Sequence, residues 1–135
     1  MSTGEPRPVP TPTSQPFWDA LAEERIRIQH CDNCGGWVHY PRNRCSHCLG
    51  EHLSWRELAG AAHVYSFTVA RQPTSPAFVD EAPRVIAIVE LEGGPRLTTN
   101  LVGVDADEVH VGMPVAPVFD HGKDGITLLR FAPPA

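Results

Sequence analysis

The sequence predicts a mainly β protein: a short N-terminal helix, then a metal-binding ribbon, then a five-stranded barrel. Three observations carry this. All four cysteines fall in two C-x2-C hooks, Cys31/Cys34 and Cys45/Cys48, ten residues apart. An amphipathic stretch precedes them. After Trp55 the apolar residues recur with period two, or in short apolar runs, between turn residues.

Residues 1–13 are rich in Pro, Thr and Ser and read as a disordered leader or linker. Five of the 14 prolines lie between Pro6 and Pro16, so the excess belongs to this tail and not to the fold. The helix signal follows. Ser14 is placed to cap it, Pro16 suits the first turn, and Asp19 suits the positive N-terminal end. Phe17, Ala20 and Leu21 share one face, with Trp18 and Ala22 beside it. The helix should run to about Glu24 and either pack on the chain's own core or dock a partner.

Arg25 to His30 alternates as a strand feeding the first hook, and Trp37 to Pro41 returns from it. Arg42 and Arg44 lie in the connection to the second hook. Two thiolates three positions apart on a tight turn grip one ion from one side, and a second such turn supplies the opposite pair. Gly35 and Gly50 are expected to take positive φ where the chain curls back. Paired hooks without a secretion signal favour metal over disulfides, and zinc over a redox dithiol or an iron site. Cys31, Cys34, Cys45 and Cys48 fill a tetrahedral sphere, so the expected ion is one structural Zn2+ with no open position for substrate. His30 and His47 neighbour the hooks but are not needed as ligands. Helix and ribbon together are expected to span residues 14–54.

The barrel is expected over residues 55–135. Its first strand, Ala62 to Arg71, sets His63, Tyr65, Phe67 and Val69 against Val64, Ser66 and Thr68. The second, Val85 to Leu91, sets Val85, Ala87, Val89 and Leu91 against Ile86 and Ile88. Gly93-Gly94-Pro95 is a hairpin turn, Arg96 to Val102 the third strand, and Asp105 to Val111 a helical turn. Met113 to Asp120 and Ile126 to Phe131 complete the set. Five strands with a small helix between the third and fourth is the pattern of a partly open Greek-key barrel, the OB-fold. The long loop 72–82 between the first two strands carries Phe78 and Val79 among prolines, as an interface anchor or as simple packing over the barrel mouth.

Several functions are excluded or disfavoured. No apolar run of ~18 residues spans a membrane, and no signal peptide leads the chain, which points to the cytoplasm. The net charge is −5, and from Trp55 onward six Lys/Arg face ten Asp/Glu. Single-stranded nucleic acid needs a basic groove, so Tyr65 and Phe67 are read as barrel packing and not as a stacking platform. No nucleophile elbow, phosphate loop or dinucleotide fingerprint is present, and His121 beside Asp120 is explained by turn chemistry.

The order of parts resembles a known family. "PFW…L" (Pro16 to Leu21) leads into a C-x2-C-G ribbon. Then come "W…L-A-G", "V-Y-S-F-T", "P-R-V-I-A-I-V-E-L-E-G" and "V-G-M-P-V". This is similar to the DUF35 family, a rubredoxin-like zinc ribbon plus an acyl-CoA-associated OB-fold, over about Phe17 to Phe131. The resemblance implies a protein partner of the thiolase fold: a thiolase, a synthase, or a lipid-transfer-protein-like aldolase of steroid side-chain degradation. It also implies a MaoC-like hydratase domain upstream, for which the leader resembles the linker. The implied reaction is retro-aldol cleavage of a β-hydroxyacyl-CoA, with the catalytic residues on the partner. The alternative is a stand-alone acyl-CoA-binding or scaffold module. Residues expected to meet partner or acyl-CoA are Phe17, Trp18, Arg71, Phe78, Val79 and Arg84.

Overall fold

The computed structural model describes residues 8–71 and 84–134. Helix α1 (Gln15–Ala22) leads into a three-stranded antiparallel sheet of β1 (Ile26–Cys31), β2 (Trp37–Val38) and β3 (Leu53–Leu58), in the order β2-β1-β3. Five strands then form a barrel: β4 (Ala62–Ala70), β5 (Arg84–Leu91), β6 (Arg96–Leu101), β7 (Pro114–His121) and β8 (Thr127–Ala132). A 3-10 turn, Ala106–Glu108, joins β6 to β7. Every expected strand is present within a residue or two, except that β2 stops at Val38.

The barrel is closed rather than partly open, in the order β4-β5-β6-β8-β7. The closing seam is thin. β6 and β8 run parallel and share only the pair Leu101↔Phe131. Phe131 is fully buried there, and its carbonyl accepts from the Val102 N–H at 2.9 Å. The buried Thr99 hydroxyl adds a stitch to the Leu129 carbonyl at 3.0 Å.

Two local expectations change. Ser14 sits at the helix N-cap, but its side chain makes no cap bond. Its Oγ accepts instead from the Thr11 N–H and hydroxyl, at 2.9 and 3.0 Å, closing the turn before the helix. On β4 the expected faces exchange midway. The register shifts between Val64 and Ser66, and Val64 is buried while Tyr65 is exposed. Beyond the bulge Phe67 and Val69 turn to the core. β4 stays paired with β5 on both sides of the bulge, Val64 with Val89 and Ser66 with Ile88, so Tyr65 is the extra residue that reverses the faces; on the other edge Val64 exchanges backbone bonds with Met113 and Gly112, just before β7.

The sheet of the ribbon runs past residue 54, since all six residues of β3 pair with β1 up to Leu58. A single core also crosses that point. Phe17, Leu21, Ile26 and Ile28 pack in one cluster with Val64, Val89, Leu97 and Phe131. The second cluster is the metal centre's own, Cys31, Cys45 and Val38 with Leu53 at its edge. β1 serves both. Ile26 and Ile28 face the barrel, while Gln29 and Cys31, on the opposite face, are buried toward the hooks.

Candidate metal centre and surface clefts

Cys31 ends β1 and Cys34 lies in the turn after it, while Cys45 and Cys48 form the second turn. The four Sγ atoms all lie within 4.8 Å of one another. The Cys31–Cys48 and Cys34–Cys45 pairs, each joining the two hooks, are 3.6 Å apart. A tetrahedron built on Zn–S bonds of ~2.3 Å has edges of ~3.8 Å, so the cage has zinc's size. No disulfide links these cysteines.

Backbone N–H groups aim at the sulfurs. The Cys34 N–H reaches Cys31 Sγ at 3.4 Å, and the His47 N–H reaches Cys45 Sγ at 3.3 Å. The Gly50 N–H, then the Asn33 amide at 3.8 Å, draw the Cys48 thiol down to about 6. The Cys48 N–H does most to lower Cys45. The Gly36 N–H favours a Cys34 thiolate too, but the adjacent Cys45 sulfur and burial push that thiol up to about 12. Four sulfurs this close share few protons, and a bound dication releases those that remain.

Gly35 takes φ +78° as expected, but in the second hook the left-handed residue is Leu49 at φ 64°. Gly50 is required for another reason: a Cβ there would stand 3.2 Å from Cys48 Sγ. Around the hooks, Asp32 receives Ser54 at 2.9 Å and Arg56 at 3.1 Å, with His30 Nδ1 at 3.1 Å. His30, then Ser54, hold its carboxyl below the usual range. His30 stacks edge-on to Trp37 at 4.9 Å, and His47 Nε2 donates to the Trp37 carbonyl at 3.2 Å. Both histidines therefore support the centre from outside the cage. Sequence periodicity gave no sign of Gln29. It is 5% exposed and clamps Arg42, its Oε1 accepting from Arg42 N at 2.7 Å and its Nε2 donating to the Arg42 carbonyl at 2.8 Å.

Two of the clefts among the described residues hold expected contact residues. One, of about 410 Å³, lies between α1, the 39–41 turn, β6 and β8, walled by Phe17, Trp18, Tyr40, Leu97 and Leu129. Phe17 is itself a core residue at 8% exposure, so its edge lines the cleft while Trp18 and Tyr40 form the lip. His39 lies in the same wall against Phe17, and burial holds its imidazole at about 4. The other cleft, of about 790 Å³, holds Arg84, Asp105, Phe119 and His121 and shares Asn100 and Arg130 with the first. Arg84 bonds Asn100 at 3.3 Å, and Arg130 bonds Asp120 at 3.0 Å. Arg71 stands away from both, paired with Asp107 at 3.5 Å on the surface. Phe78 and Val79 lie outside the described residues.

The bulge separates Tyr65 from Phe67, so the two do not form a stacking pair. Tyr65 instead carries Arg96, whose guanidinium carbon lies 3.8 Å above the ring and whose Nε donates to Glu90 at 2.9 Å. One trio has the outline of an acyl-transfer triad: Thr127 Oγ1 lies 2.9 Å from His121 Nδ1, and His121 Nε2 lies 3.7 Å from Glu24. Thr127 is 3% exposed and lines neither cleft, so no substrate reaches its hydroxyl. No helix of the described residues is long and apolar enough to cross a membrane.

A four-thiolate ribbon packed on a closed five-stranded barrel defines a zinc-ribbon OB-fold protein. Two family models match it: the rubredoxin-like zinc ribbon domain of ChsH2 over residues 18–54, and the C-terminal OB-fold domain of ChsH2 over residues 55–120. The chain belongs to this ChsH2-type DUF35 family. A DUF35 domain-containing scaffold protein of Methanothermobacter thermautotrophicus is 36% identical over 75% of this chain and 79% of its own length. A probable enoyl-CoA hydratase alpha subunit of Thermomonospora curvata is 39% identical over 95% of this chain, which spans 40% of that relative's length. In Mycobacterium tuberculosis the 3-oxo-4,17-pregnadiene-20-carboxyl-CoA hydratase alpha subunit is 33% identical over 76% of this chain and 32% of its own. Among solved structures, an Ltp2-ChsH2(DUF35) aldolase chain superposes with TM-score 0.80 at 38% identity, covering 94% of this chain and 98% of that one.

Proposed function

We propose that this chain is a non-catalytic accessory subunit or domain that binds and supports a thiolase-fold, lipid-transfer-protein-like aldolase acting on acyl-CoA. The carrying observation is its near full-length likeness to the ChsH2(DUF35) chain of an aldolase. The reaction supported is retro-aldol cleavage of a β-hydroxyacyl-CoA. Relatives named as enoyl-CoA hydratase subunits fit that chemistry, because hydrating an enoyl-CoA yields a β-hydroxyacyl-CoA. The pregnadiene name of one relative favours a steroid side chain, and its hydratase name favours a linked hydratase domain; we take that domain to be MaoC-like and the complex to be cytoplasmic.

In this reading one zinc ion holds Cys31, Cys34, Cys45 and Cys48 as a structural staple. Residues 1–13 act as leader or linker, 14–54 as helix and ribbon, and 55–135 as barrel. Contacts to partner or acyl-CoA come from Trp18 and the Phe17 edge in the smaller cleft, Arg84 in the larger, Arg71 on the surface away from both, and Phe78 and Val79. Co-expression with the candidate aldolase should give a heteromer that survives gel filtration. An aldolase that elutes alone from such a mixture would overturn the assignment. A second reading, an acyl-CoA-binding module in its own right, draws on the 410 Å³ apolar cleft, which is within the usual size of a ligand site. Calorimetry of the isolated chain with CoA esters decides it: heat at sub-millimolar ester supports it, and none rejects it.

A further inference from the structure

We infer that the metal centre and the β5–β6 hairpin are coupled through His47 and Trp37, so that loading the cysteines sets the order of the hairpin. The inference stands apart from the choice of partner. β2 has only two residues, and Trp37 is gripped at its backbone carbonyl on one side and at its indole on the other. On the ribbon side its carbonyl accepts from His47 Nε2 at 3.2 Å. A carbonyl only accepts, so this nitrogen carries the proton. His47 lies between Cys45 and Cys48, and its own N–H bonds Cys45 Sγ at 3.3 Å, so the hook dictates where its ring stands. Room for that ring exists only because residue 36 is glycine: a Cβ there would lie 2.7 Å from His47 Cδ2.

On the barrel side the Trp37 indole Nε1 donates to the Gly93 carbonyl at 3.2 Å. Gly93 and Gly94 have φ of 109° and 115°, conformations in which the turn has little stiffness of its own. A Cβ on Gly94 would stand 3.6 Å from Nε1, so the turn lies against the indole. The next residues are buried Pro95 and then Arg96, whose guanidinium covers the exposed Tyr65 ring. A continuous line of contacts therefore runs from the second hook to a rigid aromatic–guanidinium stack on the barrel surface. The hairpin's other anchor, the Glu92 N–H to the Ala61 carbonyl at 2.8 Å, does not involve the hooks. Metal-free hooks lose the constraint that fixes His47, and the Trp37 grip loosens with it.

Amide hydrogen exchange on the whole chain tests this, zinc-loaded and chelator-stripped. The readout is the segment 89–96, where the Leu91 N–H bonds the Pro95 carbonyl and the Gly94 N–H bonds the Leu91 carbonyl. The β7–β8 turn, 122–125, is the reference. Stripping should raise exchange in 89–96 severalfold more than in 122–125, where only the overall loss of stability acts. Zinc-loaded Trp37→Phe keeps a ring but loses the donor. It and zinc-loaded His47→Ala, each checked to carry one metal per chain, should already exchange in 89–96 like the stripped wild type. An unmoved hairpin on stripping, an equal rise in both turns, or variants that match the loaded wild type would each overturn the coupling.

Discussion

Gln29 shows how a single side chain holds the ribbon's return path. It lies in a strand whose alternation reads as ordinary, yet its buried amide closes a two-bond, part-buried ring with the Arg42 backbone. Truncation removes both bonds to the Arg42 backbone, so Gln29→Ala should cost about 1–2 kcal/mol in a denaturant titration. A loss under ~0.5 kcal/mol would mean that water replaces the amide. His39 has a signature in pH. Its imidazole is held at about 4 against an ordinary 6.5, so the unfolded chain takes up the proton first as acid is added. Its contribution is therefore complete above pH 6.5 and is lost progressively as pH falls toward 4, by about 3 kcal/mol at most. Because the cysteine cage also responds to acid, the check is a difference: His39→Phe should lose less stability than wild type between pH 6.5 and 4.5. Parallel curves would remove His39 from the account. At this scale the sequence exposed the ligands but not their supports. Cysteine spacing is a pattern, whereas Gln29, the left-handed Leu49 and the Ser14–Thr11 turn depend on which backbone groups burial leaves unpaired.

Strands were far easier to read than their faces. Period two with glycine turns places β4 to β8 almost to the residue, since each turn signal is local. The β4 bulge was illegible, because it is one extra residue, Tyr65, in the ladder with β5, and alternation alone does not show where a register shifts. Closure was illegible for a similar reason: it rests on one parallel pair and a hydroxyl stitch between β6 and β8. Phe131→Ala removes a fully buried ring at that seam and should cost about 3–5 kcal/mol, with exchange rising first in β8. A loss no larger than that of an exposed residue would show that the seam carries little of the fold. β1 makes the complementary point. Its two faces serve two cores, which a single alternation cannot announce.

In the whole molecule, ribbon and barrel are one cooperative body, because Phe17, Leu21, Ile26 and Ile28 lie in the barrel's own cluster. Cys31→Ser should therefore do more than release metal. It should lower the unfolding midpoint of the entire chain, read by barrel-strand exchange as well as by zinc content. A folded, fully stable Cys31→Ser protein would contradict the zinc staple. For the docking role proposed above, the surfaces offered are the clefts beside α1 and β8. The family was legible from the order of its motifs. The contact residues were not: Phe78 and Val79 lie outside the described residues, and Arg71 and Arg84 are engaged within the chain.

The most direct measurement is β-hydroxyacyl-CoA cleavage by the candidate thiolase-fold aldolase, titrated with this chain. The account predicts negligible ketone release by either protein alone. Activity should rise linearly with added chain to a fixed ratio, with no rise from Cys31→Ser. Full turnover by the aldolase in the absence of this chain would contradict it.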